Sequence, residues 1–361
     1  MNLLLHFYQP PNQKPELLKK VVTEAYEPII EILEQNPQAK VLFNIQPRFL
    51  ERLQNEFPEW VKRVNKLLVN DQIEIVASIK CHAVLPLLSE IEIDYQIKEG
   101  KVLLEEILGK TWQSNLFFPP EFAIDHKTYE FYKIHEPHIN ILSREDLNIE
   151  IIKALREGRV KLEELKKIKV KENKMIATDA EIYGHHYQDR LEWLKWIIKN
   201  SNIKNSIRQP VEKIKKFSSW EDENLWSDPD NPIQQTYLKL MRLSLDSYWD
   251  QRSHIDKEDE RLTWSRIHLD NGLSSCCLFW ASCKPWWNPD YILYGAEQLI
   301  KVTRTLDLDN HIKLQAEQFY NKIMELVWYW HWGGEAQKRI DEFEKIYGHG
   351  LFWVRQKPAH W

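Results

Sequence analysis

Glycine and cysteine are scarce in this chain, with 10 and 4 among 361 residues, and no apolar run is long enough to cross a bilayer. So few glycines argue against several phosphate-cradling loops. One fragment, GKT at 109–111, resembles the end of a P-loop, but Leu104 stands where that motif needs its first glycine. Cys81, Cys276, Cys277 and Cys283 show no zinc-type C-x-x-C pairing and read as buried thiols, so no metal or cofactor is expected. The longest uncharged apolar stretch, NGLSSCCLFWASC, falls short of the ~20 residues a spanning helix needs. The apolar start, MNLLLHFYQPP, lacks a basic n-region and a small-residue cleavage site, which points to a soluble cytoplasmic protein without a signal peptide. Net charge is −5 with dispersed basic residues, so neither nucleic acid nor membrane is an expected partner.

Aromatic residues, by contrast, are abundant: 16 tryptophans and 14 tyrosines. They supply a large core or, in part, platforms on which the C–H faces of sugar rings can stack. Up to about residue 210, short β-like runs alternate with helical patterns, the signature of βα units around a parallel sheet. The runs are LLLHF (3–7), KVLFNI (40–45), IEIVAS (73–78), NLFFP (115–119), INILS (139–143) and KMIAT (174–178), with a weaker seventh near 203–208. LLKKVVTEAYEPIIEILEQN reads as one of the intervening helices. A Pro-, Asp- and Ser-rich lapse near 210–235 then leads into helical text. There Asn288-Pro289 looks like a helix start, and Ile312, Ala316, Phe319, Ile323, Leu326 and Trp330 form a buried stripe. The expected fold is therefore α/β: a distorted barrel over 1–212, followed by an α-helical C-terminal region over 213–361 that packs on it and completes a cleft.

In parallel barrels the C-terminal strand ends form the active-site face. The first strand ends in His6-Phe7-Tyr8-Gln9, with His6 and Tyr8 on one face. The fourth ends in Pro119-Pro120-Glu121, where two prolines stiffen the backbone and the neighbouring Phe117, Phe118 and Phe122 raise the pKa of the carboxyl. After the sixth come Asp179 and Glu181, then Gly184 and the pair His185-His186. Each acid taken alone could be a surface residue or a helix cap. Two carboxylates on different strand ends of one barrel are what glycoside hydrolysis requires.

These segments, in order and at similar spacing, resemble the signature regions of glycoside hydrolase family 57, an α-amylase and 4-α-glucanotransferase-like family. The resemblance covers about residues 1–200 well and the remainder loosely. It implies a seven-stranded (β/α)7 barrel with a helical region, a retaining mechanism, and an α-glucan or maltooligosaccharide substrate. Position by position, it puts the nucleophile on Glu121 and the general acid/base on Asp179. It puts substrate contacts on His6, Tyr8 (where the family has a second histidine), Gln9, Glu74, His82, Glu181, His185, Trp286 and Trp287. Its fifth region falls at FWASCKPWW (279–287), where Lys284 and Trp286 depart from the usual Asp-Trp. Two other readings stand beside it: a non-catalytic α-glucan-binding protein on a diverged barrel, and a metal-dependent polysaccharide deacetylase. The latter needs a spaced histidine motif that HEPH (135–138) and His185-His186 do not supply.

Overall fold

The computed structural model describes residues 2–110, 112–136, 138–171, 174–201, 225–256 and 258–347. Among these, β1 (Asn2–Phe7), β2 (Val41–Ile45), β3 (Ile73–Ile75), β4 (Leu116–Phe117), β5 (Asn140–Ile141) and β6 (Met175–Asp179) alternate with helices. One sheet runs β3–β2–β1–β6 and a second joins β4 to β5, all pairings being parallel. A single parallel bridge, Ala77–Phe117, joins the two sheets on one side, and on the other the chain just past β5 bridges β6 through Leu147–Met175 and closes the ring. Leu147 follows β5 after one 3-10 turn (Arg144–Asp146) and takes the seventh place between β5 and β6. The ring is thus the expected distorted barrel. The seventh strand anticipated near 203–208 and the 212/213 boundary lie outside the described residues.

Both faces of the strands are apolar, as a parallel sheet covered by helices requires. Inward, Leu4, Leu42, Val76, Leu116, Phe118, Leu142, Met175 and Ala177 fill the barrel as one buried cluster. Outward, Leu3, Leu5, Phe7, Val41, Phe43 and Ile45 pack against the helices.

The segment read as one helix from 17 to 36 is interrupted by a π-helical stretch, Val22–Tyr26, between Pro15–Val21 and Glu27–Glu34. Pro28 has no N–H to donate to the carbonyl of Glu24. Gly184 comes so close to that carbonyl that a Cβ on it would lie 2.0 Å from the oxygen. With φ at +116°, the position also sits where glycine is favoured, so this glycine lets the loop after β6 close on the π turn.

The C-terminal region contributes the helices Pro232–His254, Glu260–Gly272, Ser275–Phe279, Pro289–Thr305, Asn310–Gly333 and Glu335–Tyr347. Asn288 caps Pro289–Thr305 by accepting from the Asp290 and Tyr291 amides, as the sequence suggests. A buried ion cluster ties this region to the barrel. Arg266 holds Glu92 through bonds of 2.9 and 3.0 Å and Asp270 at 2.5 Å, while Lys80 reaches Asp270 at 3.0 Å. Trp249 also donates to Glu92, at 2.9 Å. No helix among the described residues is long and apolar enough to cross a membrane.

Candidate active site

Strand parity builds the floor of the site. Leu4, Leu42 and Ala177 point inward, so the next inward positions toward the C-terminal mouth are His6, Asn44 and Asp179. The register sets His6 level with Asn44 on one side and Asp179 on the other. His6 Nδ1 is 2.7 Å from Asn44 Oδ1, and its ring stacks on Phe118 with centroids 5.0 Å apart. Burial lowers the pKa of His6 against the pull of Asp179, and lowers that of His82 well below the ordinary value, so both imidazoles are neutral near pH 7. The Tyr8 ring lies flat over His82 at 4.1 Å, and its hydroxyl meets Ser274 Oγ at 2.6 Å.

Glu121 stands at the end of β4 on a strained turn. Its φ of +61° and Phe122's of +53° both lie in the left-handed region that non-glycine residues avoid, at a cost of roughly 1–3 kcal/mol each. Amide bonds from Phe122 to Pro119 (2.8 Å) and from Ala123 to Pro120 (2.9 Å) keep the turn in this form. Ser275, 154 residues away, donates its hydroxyl to Glu121 Oε1 at 2.9 Å. His82 Nδ1 lies 3.6 Å from the same oxygen. Burial raises the carboxyl most; the Ser275 bond lowers it, and the charge of Asp179 raises it again, with a net pKa of about 7. The side chain still keeps 30% of its surface open, so a ligand can reach it.

At the end of β6, Asp179 meets the Arg156 guanidinium at 3.4 Å. Glu181 turns the other way and is buried, accepting from the Tyr26 hydroxyl and from Gln9 Nε2 at 2.8 Å. Burial first, then the charge of Asp179, pushes its carboxyl up to about 8. Gln9 continues outward through Gln13 (2.7 Å) to the Tyr291 hydroxyl (2.8 Å), whose ring stacks on Trp280 at 5.5 Å.

The structure therefore gathers His6, Tyr8, His82, Glu121 and Asp179 at one mouth, with Gln9 and Glu181 linked behind them. The other expected residues make the following contacts. Glu74 pairs with Leu42, one inward step deeper than Asn44, and accepts from Ser114 at 3.0 Å. His185 bonds Glu24 on the π turn at 2.6 Å. Trp286 packs on Phe279 and Trp280, and Trp287 donates to His331 at 3.2 Å. Lys284 pairs with Asp228 at 2.8 Å. What the C-terminal region brings to the mouth is Ser275 on Glu121 and Ser274 on Tyr8, both upstream of FWASCKPWW. Arg156 and Asn44 were likewise not foreseen. Asn44 could have been found as the polar end of an otherwise apolar strand. Ser275 carries no local signal. Among the described residues, no group of three His, Cys, Asp or Glu is arranged to hold a metal ion.

A cavity of about 350 Å³ opens beside Tyr8, His82 and Ser274 and runs toward Arg48 and Arg52. That is within the range of sites for small ligands.

A family model described as glycosyl hydrolase family 57 matches residues 5–146. An alpha-amylase of Pyrococcus horikoshii is 29% identical over 97 residues, which is 27% of this chain and 15% of the relative. The match thus spans under a fifth of that curated relative's length. Among solved structures, a branching enzyme from Pyrococcus horikoshii superposes with a TM-score of 0.61 at 14% identity, over 89% of this chain and 94% of its own. A 4-alpha-glucanotransferase from Thermococcus litoralis does so with a TM-score of 0.61 at 13% identity, over 85% and 60%. At such identities the likeness is one of fold.

Proposed function

We propose that the chain is a member of glycosyl hydrolase family 57, whose model matches residues 5–146, and that it acts on α-glucans with retention of configuration, as a hydrolase or a glucanotransferase. One observation carries the reading: Glu121 and Asp179 end different strands at one barrel mouth, bridged by His82, 3.6 Å from Glu121, and by His6, whose ring lies 5.1 Å from that of His82 and which pairs with Asp179 across the sheet. Glu121 attacks the anomeric carbon and forms a glycosyl-enzyme. Asp179 protonates the departing oxygen, then takes a proton from water or an acceptor sugar. Neutral His6 and the Tyr8 hydroxyl are suited to gripping sugar hydroxyls, since neither brings a competing charge, while His82 is buried with its Nδ1 on Ser275. In this reading residues 1–212 are the catalytic barrel, and 213–361 complete the cleft through Ser274 and Ser275.

A second reading exchanges the two roles. Glu121 is the carboxyl pushed up to about 7, whereas Asp179 is paired with Arg156, and a raised carboxyl suits an acid.

The test is incubation with maltooligosaccharides and glycogen, resolving products by chain length. Shorter products alone mean hydrolysis, and longer ones as well mean transfer. Either activity should fall at least ~10³-fold in Glu121→Gln. Azide with an activated α-glucosyl fluoride separates the roles. Replacing a lost nucleophile, azide gives the β-glycosyl azide; replacing a lost base, it gives the α product. The first reading expects β from Glu121→Gly and α from Asp179→Ala, and the opposite pattern would exchange them. Absence of turnover by the wild type would overturn both.

A further inference from the structure

Ser275 touches the proposed nucleophile and is not among the residues the family resemblance assigns. Its one hydroxyl hydrogen is given to Glu121 Oε1 at 2.9 Å. The contact from His82 Nδ1 to Ser275 Oγ, also 2.9 Å, must therefore be an N–H of the ring donating to the hydroxyl. His82 is neutral, so its Nε2 carries no proton, and that buried atom has no hydrogen-bond partner among the described residues. The order of donation is thus defined: His82 Nδ1–H to Ser275 Oγ–H to Glu121 Oε1. The Ser275 amide also donates to the His82 carbonyl at 2.7 Å, and Ala83 bridges Ser274, so the two segments are clamped by backbone as well as by side chains.

We propose that Ser275 is the positioning residue for Glu121, tying Oε1 in a chain of bonds backed by His82 and leaving Oε2 to face the anomeric carbon. This rests on the reading of Glu121 as nucleophile. When the glycosyl-enzyme forms, a bond forms from Oε2 to the sugar carbon while the bond to the departing oxygen breaks, and Oε1 becomes the ester carbonyl, still held by Ser275. The same bond favours the ionised carboxylate over the protonated one. The other groups facing Glu121 are His82 from the loop after β3, Cys276 beside Ser275, Asp179 from β6, and Arg156 from Ile149–Arg156. Removing the hydroxyl leaves Cys276, Asp179 and Arg156 in place and takes from the His82 Nδ1–H its acceptor.

The experiment compares wild type, Ser275→Ala and Ser275→Thr on maltooligosaccharides across pH. In Ser275→Ala we expect kcat to fall at least ~10-fold with KM altered less than ~3-fold, because an aligned hydrogen bond to a charged group is lost while substrate contacts remain. The acidic limb of kcat/KM should move to higher pH by about one pH unit. Ser275→Thr, which keeps the hydroxyl, should recover most of kcat and the original limb. An unchanged limb in Ser275→Ala, or a loss confined to KM, overturns the proposal. Infrared titration of the Glu121 carboxyl, each spectrum taken against its Glu121→Gln counterpart, needs no turnover. A titration that Ser275→Ala leaves in place overturns the proposal outright. A shifted titration in a protein with no turnover shows that Ser275 holds Glu121 while the α-glucan reading itself has failed.

Discussion

The ends of β4 and β6 each carry a carboxylate at the barrel mouth, and the two are held by different parts of the chain. Around β6, Asp179 meets Arg156, and Glu181 takes Tyr26 and Gln9, all barrel residues. Around β4, Glu121 is gripped by Ser275 from the C-terminal region, on a backbone turn that its residue type disfavours. The β6 end is a local product of the barrel. The β4 end gains its Ser275 bond only where the helical region docks, and the Glu92–Arg266–Asp270–Lys80 cluster helps to hold that docking. An acid set by distant contacts can be tuned without disturbing the strand that carries it, at the cost of local strain.

Glu121→Gly would break the comparison most sharply. Activity should fall at least ~10³-fold, while stability should rise by about 1 kcal/mol, since glycine accepts a positive φ without strain. Thermal unfolding beside the activity assay checks this, and a less stable variant would mean that the turn stores no strain.

Glu181→Gln addresses the β6 side. A carboxyl whose folded pKa is raised to about 8 stabilises the fold fully below the unfolded value of ~4.3, and that contribution is lost as pH rises through 8. The amide keeps an acceptor for Tyr26 and Gln9 and removes the titration. We expect Tm at pH 8 to rise by ~2 °C or more, with little change at pH 5. Equal shifts at both pH values would mean that Glu181 does not titrate in this window.

Glu74→Gln should have the smallest effect. Bonded to Ser114 one step below the polar layer, Glu74 is placed to leave kcat/KM within ~3-fold of wild type. A tenfold loss would return it to the substrate site.

Much of this was legible in the residues themselves. The runs that became β1 to β6 announce their strands because a covered parallel strand must be apolar on both faces. The polar residues that follow them mark the mouth, since only there can an inward side chain reach solvent. His6 and Asp179 follow from parity alone, and the Asn288 cap follows from side-chain chemistry. The same local rules failed wherever the partner lay far along the chain. Nothing near Ser274 and Ser275 in the sequence signals that helix docking sets them against Tyr8 and Glu121, or that Trp286 packs on Phe279 and Trp280. The π turn that receives His185 and Glu181 also escaped, because a missing proline donor looks the same in a string whether a helix kinks or widens. Period and residue chemistry, which act over a few neighbours, thus determined the strands, the caps and the identity of the acids. The tertiary structure decided which distant hydroxyl, guanidinium or ring stands against each acid. Burial and charge act through space rather than along the chain, so only the folded molecule makes one carboxyl unlike the other.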